Sequence, residues 1–484
     1  MVKSRVSNLF YRSGVCLILI ALCLQTEAQA RPNLVLVVAD DLDRNLGTTD
    51  RMPNLHRVLV QRGLTVSDYF VTNSLCGPSR ATLLRGQYTH SHEVVSNAEP
   101  SGGFDRFHRM GHEASTLATW LQGAGYRTML LGKYMNDYPA GGSRTHVPPG
   151  WNEFVSPVDG EPYKGFGYRM NENGRIVSYG ERTRDYLTDV LARKAEDFLR
   201  RSRGSPFFLY LTPYAPHHPA TPAPRHERLF PGEQVPRTPS FNEADVSDKP
   251  APRSPLGGTE IEEVDALYRS RLRSMQAVDE MIGSLVRVLE DSGRMGDTYV
   301  FFTSDNGFHM GQHRLRPQKA TPYEEDVRVP LIVRGPGIPA GETLSGYLAG
   351  NVDLAPTLAD LAGVEAPHFV DGRSLAPLLR GDLPAPGTWR QAFLLEQYSD
   401  EGLIAPSTRS AQPVFVGLRT LRYKYVEYWT GVREIYDLAS DPYELSNLGD
   451  SAPPELVAPL SSLLRSLAAC IGAACRSAES FAAP

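Results

Sequence analysis

Four short apolar runs, each with polar residues just past its C-terminal end, constrain this 484-residue chain more than any other feature. Residues 33–38 run into Ala39, Asp40 and Asp41, and residues 128–131 into Gly132, Lys133 and Tyr134. Residues 206–212 lead to Ala215, Pro216, His217 and His218, and residues 299–303 to Ser304, Asp305, Asn306 and Gly307. Runs this short, with no polar alternation, are expected of central strands covered on both faces, hence of a parallel sheet with helices on either side. The intervening helices are read at 52–63, 116–123, 184–200 and 260–290, the last with Val264, Leu267, Met275, Val278, Ile282, Leu285 and Leu289 on one stripe, and a short strand is read at 65–71. The class is therefore α/β. In open sheets of this kind ligands bind beyond the carboxyl ends of the strands, so Asp40, Asp41, Lys133, His217, Asp305 and Asn306 are expected at one edge.

A single thiol stands out at Leu75-Cys76-Gly77-Pro78-Ser79-Arg80. Pro78 suits the first position of a helix, where its missing N–H costs nothing, and Leu83 and Leu84 continue the helical stretch. The free N–H groups of such a helix start favour a sulfate or phosphate beside Cys76, and Arg80 adds a guanidinium fork. A buried structural cysteine is the plain alternative. The adjacent carboxylates of Asp40 and Asp41 read either as a solvated turn or as oxygen ligands for Ca²⁺ or Mg²⁺.

Composition places the chain in an exported setting. At 22% charged and 41% hydrophobic it is ordinary for a soluble protein. Residues 1–30 read as a secretory signal: Lys3, Arg5 and Arg12, an apolar run from Val15 to Leu24, and Ala28-Gln29-Ala30 as cleavage site. That run is too short to span a bilayer comfortably and no later stretch is long enough, so no transmembrane segment is expected. Removing three basic residues and one acid with the signal takes the net charge from −5 to about −7, which speaks against nucleic acid as partner. Of five cysteines Cys16 and Cys23 leave with the signal, Cys470 and Cys475 form a natural disulfide pair, and Cys76 is the odd thiol. No Asn-x-Ser/Thr acceptor occurs, which favours a bacterial periplasmic or secreted address over a lysosomal-type compartment.

Residues 140–180, rich in glycine and aromatics, read as an irregular insertion. Eleven prolines between Pro213 and Pro255 imply a semi-rigid loop able to wall a site. Beyond Lys319 a strand is expected at 329–333 and a helix at 353–362. Strands at 414–418, 422–428 and 434–438, with a turn at Thr430-Gly431, form an antiparallel meander, and a helix at 454–468 closes the chain. The expected division is a catalytic domain over 31–387 and a smaller C-terminal subdomain over 388–484, carrying the antiparallel sheet and the helix.

The run from Cys76 to Gly86, CGPSRATLLRG, resembles the signature of the sulfatase family, formylglycine-dependent enzymes of the alkaline phosphatase superfamily. The resemblance extends over nearly the whole mature chain: Ala39-Asp40-Asp41, Gly132-Lys133-Tyr134, Ala215-Pro216-His217, Ser304 to His309 and Val327-Arg328-Val329-Pro330. Within the family the chain looks most like the N-acetylglucosamine-6-sulfatase and heparan 6-O-endosulfatase groups, whose ending Cys470 to Cys475 also resembles. The resemblance implies a large mixed, mostly parallel sheet flanked by helices, and conversion of Cys76 to formylglycine by a formylglycine-generating enzyme. It implies Ca²⁺ held by Asp40, Asp41, Asp305, Asn306 and the oxygen of modified Cys76, with Arg80, Lys133, His217 and Lys319 around a substrate sulfate. Two departures stand out. Met135 and Asn136 replace the histidine that many arylsulfatases carry after the lysine, and Gly77 stands where the group tends to have cysteine, a change outside the chemistry.

Hydrated formylglycine is a geminal diol, and a hydroxyl held against Ca²⁺ has the lowered pKa of an activated nucleophile. Arg80, Lys133 and Lys319 would neutralise charge on the sulfuryl oxygens, and His217, with Lys319 as second choice, would protonate the leaving alkoxide. The expected substrate is a sulfated saccharide, with His90, Asn97, Asn136 and His309 as candidate sugar contacts. Rival readings are an arylsulfatase, a phosphonate or phosphodiester hydrolase of the same superfamily, and a glycan-binding protein without catalysis.

Overall fold

A strand with no polar face is stable only where both of its faces are covered, and the computed structural model places the apolar runs in the middle of a ten-stranded sheet. It describes Met1 and residues 31–385, 387–399, 414–449 and 451–480; the expected signal and its cleavage site lie outside the described residues. The strands in chain order are β1 Asn33–Ala39, β2 Leu64–Val66, β3 Tyr69–Phe70, β4 Arg127–Gly132, β5 Glu153–Gly160, β6 Tyr168–Glu172, β7 Arg175–Tyr179 and β8 Phe207–Thr212. They continue with β9 Thr298–Ser304, β10 Leu331–Arg334, β11 Glu342–Leu344, β12 Ala349–Gly350, β13 Phe393–Gln397, β14 Phe415–Arg419, β15 Tyr423–Tyr428 and β16 Arg433–Asp437.

The main sheet runs β11-β2-β10-β9-β1-β8-β4-β5-β6-β7. Its centre, β9-β1-β8-β4-β5, is parallel, and β10, β6 and β7 add antiparallel pairings. The alternation of β1 shows the two layers. Leu34, Leu36 and Val38 enter one apolar cluster, with Leu83, Leu117, Leu121 and Leu354. Val35, Val37 and Ala39 enter the other, with Leu191 and Phe198 of the Leu187–Arg201 helix and Met275, Val278 and Ile282 of the Gly258–Asp291 helix.

Three expectations change. The stretch 140–180 is no irregular insertion: β5, β6 and β7 extend the main sheet, and the β6–β7 hairpin turns on Asn173-Gly174, both at positive φ, the pair that favours a tight type I′ turn. The strand expected over 65–71 is broken at Ser67-Asp68, where Ser67 N–H donates to the Leu344 carbonyl and Asp68 accepts from Gly346 N–H; β2 joins the main sheet and β3 pairs with β12. The helix expected over 52–63 is an α-helix only over Pro53–Val58, with 3₁₀ turns on either side.

The C-terminal meander carries a fourth strand, β13, giving the order β13-β14-β15-β16, and is followed by the helices Pro454–Leu467 and Ala473–Ala478. Its apolar side chains, among them Leu394, Leu418 and Tyr425, belong to the same cluster as Leu34 and Leu83, so this sheet finishes the core on one face of the main sheet. Cys470 and Cys475 are joined by a disulfide, and Cys76 is a free buried cysteine. Among the described residues no helix is long and apolar enough to cross a membrane.

Candidate active site

Because β9, β1, β8 and β4 are neighbours and parallel, their carboxyl ends open on one edge of the sheet. Asp40 and Asp41 follow β1, Lys133 follows β4, His217 lies five residues past β8, and Asp305 and Asn306 follow β9. The Cys76–Arg85 helix starts at the same edge, with extended Leu75 as its cap. Pro78 is thus the third helical residue rather than the first; it is tolerated because the first-turn N–H groups have no partner within the helix. Gly77 is less neutral than its distance from the chemistry suggested. Its N–H donates to Asn97 Oδ1 at 2.7 Å, and a Cβ there would stand 2.7 Å from the Ser96 carbonyl oxygen, so the chain passing over the helix start excludes a side chain.

The Cys76 sulfur is buried 3.4 Å from Asp40 Oδ1, 3.7 Å from Asp41 Oδ1 and 2.7 Å from Lys319 Nζ. Lys133 Nζ donates to both Asp40 oxygens at 2.8 and 3.0 Å, and Lys319 also donates to Asp41. Arg80 grips Asp305 Oδ2 through Nε at 2.9 Å and Nη2 at 2.7 Å while its Nη1 donates to the Lys133 carbonyl at 2.9 Å. Asp305 Oδ1 is held by the N–H groups of Asp41 and Asn306. His217 Nδ1 donates to the His218 carbonyl at 2.7 Å, which leaves Nε2 facing Asp41 Oδ2 at 3.6 Å.

Burial opposes the charge on each of these groups, and the pairings decide which charges survive. Burial raises the Asp40 carboxyl, but Lys133, then His217, Arg80 and Lys319, outweigh it and hold Asp40 well below the usual carboxylate range. Against the same burial, Lys319 and His217 keep Asp41 low. Burial, then the charge of Asp305, pushes the Cys76 thiol well above its ordinary value, so the unmodified sulfur is not primed as a thiolate.

The donor set fits a hard cation. Ligand atoms of Asp40, Asp41, Asp305 and Cys76 all lie within 4.8 Å of one another. Asn306 donates Nδ2 to Asp41 Oδ1 and the Gly307 carbonyl, leaving its buried Oδ1 without a partner, an acceptor that a cation would satisfy.

Three neighbours escaped the sequence reading. Tyr163 packs its ring 4.4 Å from that of His217 and 5.4 Å from Lys133 Nζ, and Tyr214 lies beside it at 4.8 Å. Tyr163 was hidden in the stretch read as irregular. Arg271, buried in the long helix, donates to the carbonyls of Asp41 and Pro216 and so braces the turn in which Asp41 adopts φ +68°. Its signal was available: it interrupts the apolar stripe between Leu267 and Met275.

Of the candidate sugar contacts, His90 and His309 are not brought into this cluster. His90 Nδ1 meets Glu396 at 3.0 Å and Nε2 the Cys470 carbonyl at 2.7 Å; His309 Nδ1 meets Asp326 and Nε2 the Arg316 carbonyl, both at 3.0 Å. Neither ring has a nitrogen left for a sugar. Asn97 supports the Cys76 helix as described, and Asn136 keeps a buried Oδ1 without a partner.

Residues 32–364 match the family described as Sulfatase, and residues 311–469 the family described as N-sulphoglucosamine sulphohydrolase, C-terminal. A Capra hircus protein named N-acetylglucosamine-6-sulfatase is 35% identical over 489 residues, covering 94% of this chain and 86% of its own length. A Volvox carteri protein named arylsulfatase is 34% identical over 516 residues, covering 96% of this chain and 78% of its own. Among solved structures, one in complex with its substrate D-glucosamine-2-N,6-O-disulfate superimposes with a TM-score of 0.73 at 26% identity, covering 90% of this chain and 97% of that one.

Proposed function

The chain belongs to the sulfatase family and is a sulfuric ester hydrolase, and on that footing we propose that it removes the 6-O-sulfate of N-acetylglucosamine in a sulfated glycan. The observation that carries the reading is the convergence of four strand ends on the Cys76 sulfur, with three carboxylates, three cations and one histidine around it. The relatives named for glucosamine 6-sulfate, and a structural neighbour solved with a 6-O-sulfated glucosamine, support the sugar. Export to a periplasm or the medium, with a catalytic part over 31–387 and a C-terminal part from 388, belongs to the same proposal.

Asp40, Asp41, Asp305 and Asn306 would hold Ca²⁺, together with an oxygen on residue 76 once its thiol has been converted to formylglycine by a formylglycine-generating enzyme. The bound ion would supply positive charge for the sulfate oxygens, and the hydrated formylglycine the oxygen nucleophile. The remaining work falls to this chain's own side chains. Arg80 holds Asp305 and, with Lys133 and Lys319, sets a fixed positive wall against which charge on the sulfuryl group is neutralised. His217 delivers the proton from Nε2 to the leaving sugar oxygen, its Nδ1 being tied to the His218 carbonyl. Tyr163 covers one face of His217 and Lys133 and limits water there.

Turnover of 6-O-, 4-O-, 2-O- and N-sulfated saccharides, nitrophenyl sulfate and a phosphodiester, compared as kcat/KM, tests the reading. Remote sugar contacts orient the ester, so 6-sulfated N-acetylglucosamine is expected to exceed nitrophenyl sulfate despite the better leaving group of the latter. Preference for the aryl ester, a 4-O-sulfate or the phosphodiester would overturn it. Elemental analysis is expected to find calcium and not a zinc pair, and the Cys76 peptide to be lighter than encoded by about 18 Da.

A further inference from the structure

His108, Glu113 and His146 form a second group of ligating side chains that the hydrolysis does not use. His108 lies on the Gly103–Arg109 helix, Glu113 in the 3₁₀ turn His112–Ala114, and His146 in the loop before β5. His146 Nε2 stands 3.2 and 3.1 Å from the two Glu113 carboxylate oxygens, and His108 Nδ1 makes a short contact to the same carboxylate. One ligand atom from each of the three residues lies within 4.8 Å of the other two.

We propose that these three residues form a transition-metal site that takes Zn²⁺ or an ion of that class, separate from the oxygen-lined site at Cys76. Two imidazoles and one carboxylate are the donors such ions prefer, whereas Ca²⁺ and Mg²⁺ select oxygen alone. Bonds of about 2.0–2.1 Å in a tetrahedral zinc site put neighbouring donor atoms about 3.3 Å apart, close to the His146–Glu113 spacing. The supports that orient ligands are also present. Tyr134 Oη donates to Glu113 Oε1 at 3.1 Å, and the buried Phe104 ring packs against both imidazoles, with centroids at 5.3 and 5.6 Å.

Access differs among the three in a useful way. The Glu113 side chain is 6% exposed and anchored, while His108 is 47% and His146 25% exposed, which gives an ion a way in and leaves room for a water ligand. Hydrogen bonds alone would also hold these rings, with each facing nitrogen donating to Glu113; an ion takes the place of those two protons, each of which passes to the far nitrogen of its own ring. Tyr134 directly follows Lys133, so an ion here would tie the segments carrying His108, Glu113 and His146 to the end of β4 without touching the substrate.

The test uses the full chain, stripped of transition metals and kept in excess Ca²⁺, titrated with Co²⁺ by visible absorption and with Zn²⁺ by calorimetry. One equivalent of Co²⁺ with the bands of a four- or five-coordinate ion, displaced by one equivalent of Zn²⁺, is expected. Affinity is expected to fall by at least about tenfold in His146→Ala and in the half-exposed His108→Ala, with sulfate-ester hydrolysis unchanged in both. Absence of the equivalent in the parent protein, or its persistence at full affinity in both variants, would overturn the proposal; persistence would place the ion at the Cys76 edge instead.

Discussion

At the carboxyl edge of the main sheet Arg80, Lys133 and Lys319 face Asp40, Asp41 and Asp305; against the C-terminal sheet Arg419 and Lys424 face Glu324 and Glu444, and both sets are buried. In the second set the charges close on one another. Arg419 Nε meets Glu324 Oε1 at 2.9 Å, Lys424 Nζ meets the same oxygen at 3.0 Å and Glu444 Oε1 at 2.6 Å, and Glu444 Oε2 accepts from the Glu324 N–H at 2.8 Å. In the first set the same kinds of pair surround a sulfur atom, leave Asn306 Oδ1 without a partner, and end at a histidine that is a quarter exposed. Burial and pairing are common to both. What separates them is convergence on one sulfur atom with a way out to solvent through His217, which is what marks the first as the candidate site and the second as a charged joint.

Replacing Cys76 by alanine is the strongest attempt to break the contrast. Turnover should fall by more than about 10⁴-fold, as when a nucleophile is deleted, while thermal unfolding reports a loss of only about 1 kcal/mol for the small void. A variant that keeps a hundredth of parental kcat would end the assignment of residue 76.

Lys424→Met should do the reverse. It leaves Glu324 and Glu444 without their shared cation, and urea unfolding is expected to show about 3–5 kcal/mol less stability. Turnover per folded molecule should stay within about twofold, far from the drop expected of a group aimed at a reacting atom. A selective loss of kcat would mean that the two regions are not distinct.

His217→Gln sharpens the chemistry on the catalytic side. Loss of the acid should cost about 10²-fold or more on a sugar sulfate, and much less on nitrophenyl sulfate, whose leaving group needs little protonation. Equal losses on both substrates would remove His217 from proton transfer and leave it a role in positioning.

The smallest effect on turnover concerns a third buried pair, His90 with Glu396, which acts on stability alone. Burial lowers the His90 pKa, but Glu396 and the Cys470 carbonyl outweigh it and raise it to about 9. A folded-state value above the unfolded one means that the pair stabilises fully below about pH 6.5 and that this contribution is lost as pH rises through about 9. Unfolding free energies from denaturant titrations at pH 6 and pH 10 should therefore differ by about 3 kcal/mol from this pair, a difference that His90→Gln removes. A parent protein in which this part of the stability grows with pH would contradict the pairing.

The sheet's centre was legible in the chain because β1, β4, β8 and β9 are short, nearly unbroken apolar runs with no solvent face. The ends of those strands carried the candidate site residues Asp40, Asp41, Lys133, His217, Asp305 and Asn306 to one edge. The reading failed where polar and apolar residues mix: β5 to β7 lie at the sheet's margin, where one face is partly wet, and composition outweighed the Asn173-Gly174 turn signal. His90 and His309, read as candidate sugar contacts, are polar and close in sequence to the signature motifs, and the fold pairs them with Glu396 and Asp326. A histidine's type does not reveal whether its nitrogens are spent inside the fold.

By itself, then, the sequence determined which segments must be buried strands, which groups stand at their ends, and that a helix begins beside Cys76, because hydrophobic periodicity and helix-start chemistry act between residues close along the chain. Only the tertiary structure decided that β9, β1, β8 and β4 are neighbours, that Lys319 reaches the Cys76 sulfur across 243 residues, and that Arg271 and Tyr163 belong to the same site. Those placements follow from strand order and from how the covering helices pack, and no local preference encodes either one.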